Sequence, residues 1–288
     1  MEGVLVALVT PFKEGSVDYK ALHALIDFQI ENGTDGIVPC GTTGESATLC
    51  LEEKKKVIEE TIEHVRKRAL VIAGTGSNNT RESVTLTKWA KDAGADGALV
   101  VTPYYNKPTQ NGLYEHYKAI SRIGLPLCLY NVPSRTSVSL TVATIEKLVS
   151  IDEVVAIKEA TASMVFASEI IKACGDKIKI LSGDDPTFLP LLSLGGKGII
   201  SVTSNVAPQQ MADIYDHFIL GQLSSSREAH YHLLPLMNAL FWETNPIPVK
   251  KALHLMGKIE DEVRLPLTPL SQHHAENLKT LMQEYHLL

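Results

Sequence analysis

Short β-branched runs alternate with amphipathic stretches eight times along the chain, and this alternation restricts the fold more than any other feature. It is typical of a parallel sheet built from βα units. The runs are almost continuously hydrophobic, which indicates strands that are covered on both faces. The predicted strands span residues 4–10, 36–40, 70–74, 98–102, 127–131, 154–159, 178–182 and 198–203.

Eight βα units predict a (β/α)8 TIM barrel, because a doubly wound open sheet more often has about five to seven strands and a glycine-rich first turn. The strand pattern stops after Gly221. We therefore predict a barrel domain at 1–221 and a C-terminal helical appendix at 222–288. Predicted helices include 51–68, 81–93, 231–242, 248–256 and 271–285, and predicted N-cap or first-turn residues are Asp18, Thr80, Thr141 and Ser163.

The overall charge and the cysteines exclude several classes of protein. The formal net charge is −6 and the basic residues are scattered, so we expect no nucleic-acid partner. The four cysteines form no CxxC pair, which is typical of the reduced thiols of a cytosolic protein. The N-terminal apolar run ends at Pro11, too early for a signal peptide or a membrane span. We expect a cytoplasmic protein without disulfides, structural zinc or another bound metal.

Polar residues that close the apolar runs are the candidates for chemistry, because a TIM barrel has its active site at the carboxyl ends of its strands. These residues are Thr42, Thr43, Tyr104, Tyr105, Tyr130, Arg135, Lys158, Asp184 and Asp185. Tyr104 and Tyr105 are adjacent, so only one of them can face a given pocket if the strand continues. The two aspartates would repel a phosphate, and we predict that they cap the following helix through Pro186.

Lys158 is the most informative candidate. It follows four apolar residues at 154–157, where desolvation disfavours a cation. An uncharged amine at a barrel mouth is a nucleophile toward carbonyl groups, and lysine is the residue that forms Schiff bases. The alternative is a lysine that pairs with Glu159 or extends its amine to solvent. Both interpretations remain open on sequence alone.

The turn at 41–45 could hold a small carboxylate through two hydroxyls and its backbone amides. Alternatively, Thr42 and Thr43 satisfy backbone donors and Glu45 caps the next helix. Tyr130 could move protons and Arg135 could clamp a carboxylate. A tyrosine at the barrel rim and a surface arginine would explain that pair equally well.

Five segments together resemble the dihydrodipicolinate synthase branch of the pyruvate-dependent aldolases. The resemblance extends over essentially the whole chain, although the first segment and the lysine segment are shared with N-acetylneuraminate lyase and 2-keto-3-deoxy-sugar-acid aldolases. The segments are Gly41-Thr42-Thr43-Gly44-Glu45-Ser46, Pro103-Tyr104-Tyr105-Asn106-Lys107-Pro108, Tyr130-Asn131-Val132-Pro133-Ser134-Arg135-Thr136, Ile157-Lys158-Glu159 and Ser182-Gly183-Asp184-Asp185.

The resemblance implies a condensation of pyruvate, held as a Schiff base on Lys158, with L-aspartate 4-semialdehyde. Tyr130, Thr42 and Tyr105 would relay protons, with Tyr105 supplied by a neighbouring subunit of a homotetramer. No external cofactor would be needed. The residues expected to bind the substrates are Thr43, Arg135, Gly183 and Ile200.

The same resemblance implies an effector pocket for lysine. Leu51 and Lys54 replace histidines that lysine-inhibited members often carry, and an added cation would oppose a cationic effector. We therefore expect weak or absent feedback by lysine. The other residues that match this pocket are Ser46, Ala47, Asn78, Glu82 and Tyr104.

Two further interpretations of the function of the chain stay open. One is a sugar-acid, hydroxy-oxoglutarate or N-acetylneuraminate aldolase that uses the same lysine, and the other is a catalytically silent sensor of keto acids.

Overall fold

Eight parallel strands close into a barrel in the computed structural model, which describes residues 1–288. Each strand pairs with its neighbours in chain order, and the last strand pairs with the first through the register Gly3 to Gly198. The (β/α)8 prediction is therefore confirmed. The strands are β1 (Gly3–Ala7), β2 (Gly36–Val38), β3 (Leu70–Gly74), β4 (Gly97–Val101), β5 (Leu127–Asn131), β6 (Val154–Glu159), β7 (Lys179–Ser182) and β8 (Gly198–Ser201).

Helices separate the strands, and local capping explains where several of them begin. The side chains of Asp18, Thr141 and Ser163 each accept a hydrogen bond from a backbone N–H in the first turn, as predicted. Thr80 is the first residue of its helix, and the cap is Asn79. The helices are α1 (Tyr19–Glu31), α2 (Leu51–Val65), α3 (Thr80–Ala93), α4 (Gln110–Ser121), α5 (Pro133–Thr136), α6 (Val142–Leu148), α7 (Met164–Cys174), α8 (Phe188–Leu194), α9 (Pro208–Ile219), α10 (Leu223–Ala239), α11 (Ile247–Leu255) and α12 (Gln272–Glu284).

The two faces of the barrel strands build two separate apolar clusters, because successive side chains of a strand point to opposite sides. The inner cluster fills the barrel and includes Leu5, Ile72 and Leu99. The outer cluster lies between the strands and the helices and extends into the C-terminal region, where Leu253 and Met282 are fully buried. Helices α10 to α12 therefore share one core with the outer surface of the barrel.

The C-terminal region is helical, as the loss of the strand pattern predicts. Helix α10 begins at Leu223, which is earlier than the predicted start at 231.

A two-stranded hairpin, Phe12–Lys13 with Ser16–Val17, follows β1 at the carboxyl end of the barrel. No helix is both long enough and apolar enough to cross a lipid bilayer. The boundary between a barrel domain and a C-terminal domain at 221 stays a prediction.

Candidate active site

A cavity of about 300 Å³ opens at the carboxyl end of the barrel strands. Its wall combines residues that follow β2 and β5 with residues from the segment between α10 and α12. Thr42, Tyr130 and Arg135 lie in the barrel part of the wall, and Asn245 and Leu267 lie in the C-terminal part. The volume is sufficient for a small organic acid. The C-terminal region therefore completes a site that the barrel alone leaves open.

Lys158 lies inside the barrel behind Tyr130 and is not itself one of the residues that line the cavity. Ala156 belongs to the inner cluster and Ile157 to the outer one, so strand alternation turns the Lys158 side chain inward. The residue is 5% exposed, and its Nζ lies 4.6 Å from the ring centroid of Tyr130. The Lys158 amine forms neither an ion pair nor a hydrogen bond, unlike that of the other buried lysine, Lys250. Its amine is thus unengaged beside an aromatic ring of the cavity wall.

Glu159 is not the partner of Lys158, because it faces the other side of β6. Its carboxylate accepts hydrogen bonds from the Asn131 amide at 3.0 Å and from the Thr161 backbone N–H at 2.5 Å. Burial raises the pKa of the Glu159 carboxyl. The interpretation in which Lys158 is neutralised by its neighbour is therefore wrong.

Gly183 borders the buried lysine, and Ile200 lies inside the barrel. A Cβ atom added to Gly183 would lie 3.0 Å from Cε of Lys158 and 2.6 Å from Cβ of Ala160. Only a residue without a side chain leaves room there for the lysine stem. Ile200 is buried in the inner cluster and pairs in register with Leu5 of β1. Neither residue lies on the cavity wall.

The turn after β2 and Arg135 are tethered to the same residue of the C-terminal segment. The side-chain amide of Asn245 donates to Oγ1 of Thr43 at 2.9 Å, and Nη2 of Arg135 donates to the backbone oxygen of Asn245 at 3.2 Å. Thr43 is buried, whereas Thr42 is partly exposed on the cavity wall. Hydroxyl, amide and guanidinium groups are thus gathered around the same cavity as Tyr130, as a site for an anionic carbonyl compound requires.

Comparison with known proteins agrees with this geometry over the full chain. Residues 1–285 match the model of the dihydrodipicolinate synthetase family. The chain belongs to that family. A relative named 4-hydroxy-tetrahydrodipicolinate synthase, from Syntrophus aciditrophicus (strain SB), is 57% identical over 100% of this chain and 99% of its own.

Solved structures of the family superimpose closely on this chain. Dihydrodipicolinate synthase from Aquifex aeolicus has a TM-score of 0.98 at 50% identity and covers 100% of this chain and 99% of its own. The chloride-inhibited enzyme from Acinetobacter baumannii, solved in complex with pyruvate, has a TM-score of 0.97 at 48% identity with the same coverage. A monomeric variant of the enzyme has a TM-score of 0.98 at 45% identity and covers 100% of this chain and 97% of its own.

The two adjacent tyrosines of the family segment after β4 have different environments. The strand ends at Val101, so they belong to a loop and not to an extended strand. Tyr104 lines the cavity. Tyr105 has a backbone φ of 68° and is 90% exposed, so it does not reach the cavity of its own chain.

The seven residues expected to form an effector pocket are only partly brought together. Four of them line the same cavity as Thr42 and Tyr130: Ser46, Ala47, Lys54 and Tyr104. Leu51 is 46% exposed and lies outside the cavity wall. Asn78 and Glu82 also lie outside it. The Glu82 carboxylate accepts hydrogen bonds from Ser77 and Asn79 at the start of α3.

The prediction that Asp184 and Asp185 cap the following helix is wrong. Asp184 occupies the N-cap position of a short 3-10 helix at Asp185–Thr187, but its side chain makes no capping hydrogen bond. Asp185 is fully buried and reaches across to β8, where its carboxylate accepts from the Ser201 hydroxyl at 2.5 Å and from the backbone N–H groups of Val202 and Thr203 at 3.1 Å each. Burial raises the pKa of Asp185. This residue fixes the end of the strand that carries Ile200.

Sequence reasoning missed Asn245, which contacts both Thr43 and Arg135. The segment at 245–248 alternates proline with other residues, and such a pattern indicates only a break before a helix. Its contact with Thr43 spans 202 residues of chain. No periodicity or local motif connects positions so far apart, so only the folded barrel identifies this residue.

Proposed function

We propose that this chain is a 4-hydroxy-tetrahydrodipicolinate synthase, which condenses pyruvate with L-aspartate 4-semialdehyde. The observation that carries the proposal is the unengaged amine of Lys158, buried inside the barrel mouth beside Tyr130. A lysine without a partner in a buried site is free to act as a nucleophile. The names of the relatives supply the substrates, and the site supplies groups suited to both of them.

The amine nitrogen of Lys158 attacks the keto carbon of pyruvate, and the resulting carbinolamine loses water to give an imine. The imine nitrogen is protonated, and loss of a proton from the methyl carbon of this iminium ion gives a neutral enamine. The enamine carbon then attacks the aldehyde carbon of the second substrate, whose oxygen takes up a proton. The amino group of that substrate next displaces Lys158 from the imine carbon, which closes the ring and frees the enzyme.

Proton transfers at these steps need a donor and an acceptor close to the Lys158 amine. Tyr130 and Thr42 line the cavity and are the groups of this chain that we assign to that role. Tyr105 is the third member of the relay, and it comes from a second copy of the chain. Its 90% exposure is consistent with a side chain that projects into a neighbouring site.

Two anionic groups have to be held in this reaction. The Thr42 and Thr43 turn receives the carboxylate of pyruvate through hydroxyl and amide donors. Arg135 receives the carboxylate of L-aspartate 4-semialdehyde, since its guanidinium lines the outer part of the cavity and has no carboxylate partner of its own. We also assign Gly183, which contacts the Lys158 stem, and Ile200 to the binding of pyruvate.

The assembly in this proposal is a cytoplasmic homotetramer, in which each site receives Tyr105 from another subunit. A monomer would leave that relay incomplete. Sedimentation velocity would give the mass of the assembly, and Tyr105→Phe would reduce turnover in a tetramer without changing that mass. A catalytically competent monomer would contradict this part of the proposal.

Feedback by lysine is weak or absent in the proposed enzyme. Lys54 brings an additional cation to the cavity wall, and a cationic effector would be repelled by it. A steady-state assay with added L-lysine measures this directly. Strong inhibition at submillimolar L-lysine would overturn the expectation.

The proposed reaction is tested by following pyruvate in the presence and absence of each second substrate. We expect consumption only with L-aspartate 4-semialdehyde, and none with Lys158→Met. Cleavage of N-acetylneuraminate or 2-keto-3-deoxygluconate in place of this condensation would identify a sugar-acid aldolase instead.

A further inference from the structure

A buried ion pair between Glu45, which borders the cavity, and Lys250 links the turn after β2 to the C-terminal region. The Lys250 amine donates to Oε1 of Glu45 at 2.6 Å, and the two side chains are 1% and 0% exposed. The amine also donates to the backbone oxygen of Thr10 at 3.0 Å and lies 4.1 Å from the ring centroid of Phe12. A pair so completely desolvated is costly to form, so its retention calls for a specific role.

The remaining contacts of Glu45 fix the turn to which it belongs. Oε2 of Glu45 accepts a hydrogen bond from the backbone N–H of Arg264 at 3.0 Å. The neighbouring Gly44 is held through its backbone oxygen, which accepts from the Thr10 hydroxyl at 2.7 Å. Glu45 itself adopts a left-handed backbone conformation with φ of 51°, which favours glycine and needs support from its surroundings. Both carboxylate oxygens therefore stabilise a strained turn.

Lys250 is connected through the backbone of α11 to Asn245, the residue that donates a hydrogen bond to Thr43. Lys250 lies in the first turn of α11, where its backbone N–H donates to the oxygen of Pro246 at 3.0 Å. Asn245, which precedes that proline, donates to the Thr43 hydroxyl and accepts from Arg135. The turn is thus connected to α11 at two points, one through Glu45 and one through Thr43.

We propose that Glu45 and Lys250 are positioning residues, whose buried ion pair holds the Thr42 and Thr43 turn in the geometry that receives the carboxylate of pyruvate. The inference rests on the proposed function, since it concerns the pyruvate subsite. Neither side chain contacts the reacting atoms. Their effect is therefore on the binding of pyruvate more than on the rate at which bound pyruvate reacts.

The test separates positioning from stability with a double variant. Glu45→Gln with Lys250→Met removes both charges, retains an oxygen that accepts from the Arg264 N–H, and keeps an unbranched side chain over Phe12. Replacing both partners of a buried pair by neutral groups often leaves stability nearly unchanged, whereas removing one partner alone is strongly destabilising. The Lys250→Met variant should therefore have a lower Tm than the wild type, and the double variant should have a Tm close to that of the wild type.

The readout is the rate of borohydride trapping of the imine as a function of pyruvate concentration, together with the Tm. We expect the half-saturating pyruvate concentration of the double variant to rise about tenfold, while the maximal trapping rate falls by a smaller factor. Should that double variant fail to fold, Glu45→Gln with Lys250→Gln, which also replaces both charges by neutral groups, gives the same readout. A half-saturating concentration within twofold of the wild type, in whichever of these variants folds, overturns the inference.

Lys251→Met is the matched control. Lys251 is the next residue of α11 and pairs with Asp261 at the same distance of 2.6 Å, but it lies at the partly exposed surface. This variant should leave the Tm, the half-saturating concentration and the maximal rate unchanged. Failure of the wild type to form any adduct would count against the proposed function itself. A normal wild-type adduct with unchanged pyruvate dependence in the Glu45 and Lys250 variants would count only against the positioning role.

Discussion

Gly183→Ala tests how closely the lysine stem is packed. The added Cβ would lie 2.6 Å from Cβ of Ala160, and 3.0 and 3.1 Å from Cε and Cγ of Lys158. An ordinary contact between carbon atoms is about 3.5–4.0 Å. The Ala160 contact is therefore about 1 Å too short, and either the loop after β6 or the lysine stem has to move.

The size of the effect follows from that overlap. Overpacking of this kind costs about 1–3 kcal/mol of stability. A displacement of about 1 Å at a reacting group can lower the rate about 100-fold. We therefore expect kcat/KM to fall by about two orders of magnitude, a larger effect than a modest loss of stability would explain.

The assay combines steady-state turnover with thermal unfolding of the purified protein. Gly112→Ala is the control, since its new Cβ would meet Pro108 at 3.1 Å at the start of α4, away from the cavity wall. That variant should retain wild-type turnover. A Gly183→Ala enzyme with kcat/KM within threefold of the wild type would refute the tight packing of Gly183 against Lys158.

Three further predictions concern other parts of the site and its support. Tyr130→Phe keeps the ring beside the Lys158 amine and removes the hydroxyl, so kcat should fall by about 10² to 10⁴ with little change in Tm; unchanged turnover would exclude the phenol from proton transfer. Arg135→Lys keeps the positive charge and loses the planar guanidinium with its paired N–H donors, so the KM for L-aspartate 4-semialdehyde should rise about tenfold while the KM for pyruvate stays constant. Equal changes in the two KM values would contradict the role of Arg135 in binding the second substrate. Hydrogen bonds from Arg264 lower the pKa of Glu53 from 4.5 to about 2. The stabilising effect of a carboxyl with a lowered pKa is complete above its unfolded pKa and disappears as the pH falls through the folded value. Glu53→Gln should therefore lower the Tm at pH 7, and the difference should shrink between about pH 4.5 and pH 2. Glu52→Gln, on the same helix but with a side chain that is 78% exposed, should show no such difference.

The strands were predictable because each is a short β-branched run that is buried on both sides. The predicted bounds at 70–74, 127–131 and 154–159 agree with the structure. Alternation along the strand also explains why Lys158 points into the barrel and Glu159 away from it. The position of the proposed nucleophile therefore follows from local sequence, although its lack of an ion-pair partner does not.

Contacts that depend on barrel closure could not be predicted in this way. Asp185 looks like a cap for the next helix, but in the folded barrel it binds backbone N–H groups at the end of β8. Asn245 and Lys250 come from beyond the last strand and reach the turn after β2 across more than 200 residues. Such contacts are set by the packing of α11 against the barrel and leave no periodic signal in the sequence.

The catalytic role of Lys158 is tested most directly by locating the covalent adduct. The protein would be incubated with pyruvate, reduced with borohydride, digested and analysed by mass spectrometry. The predicted result is a reduced pyruvyl group on Lys158 and none on Lys250, the other buried lysine, whose amine is committed to Glu45. An adduct on another lysine, or no adduct in a protein that still consumes pyruvate, would contradict the account.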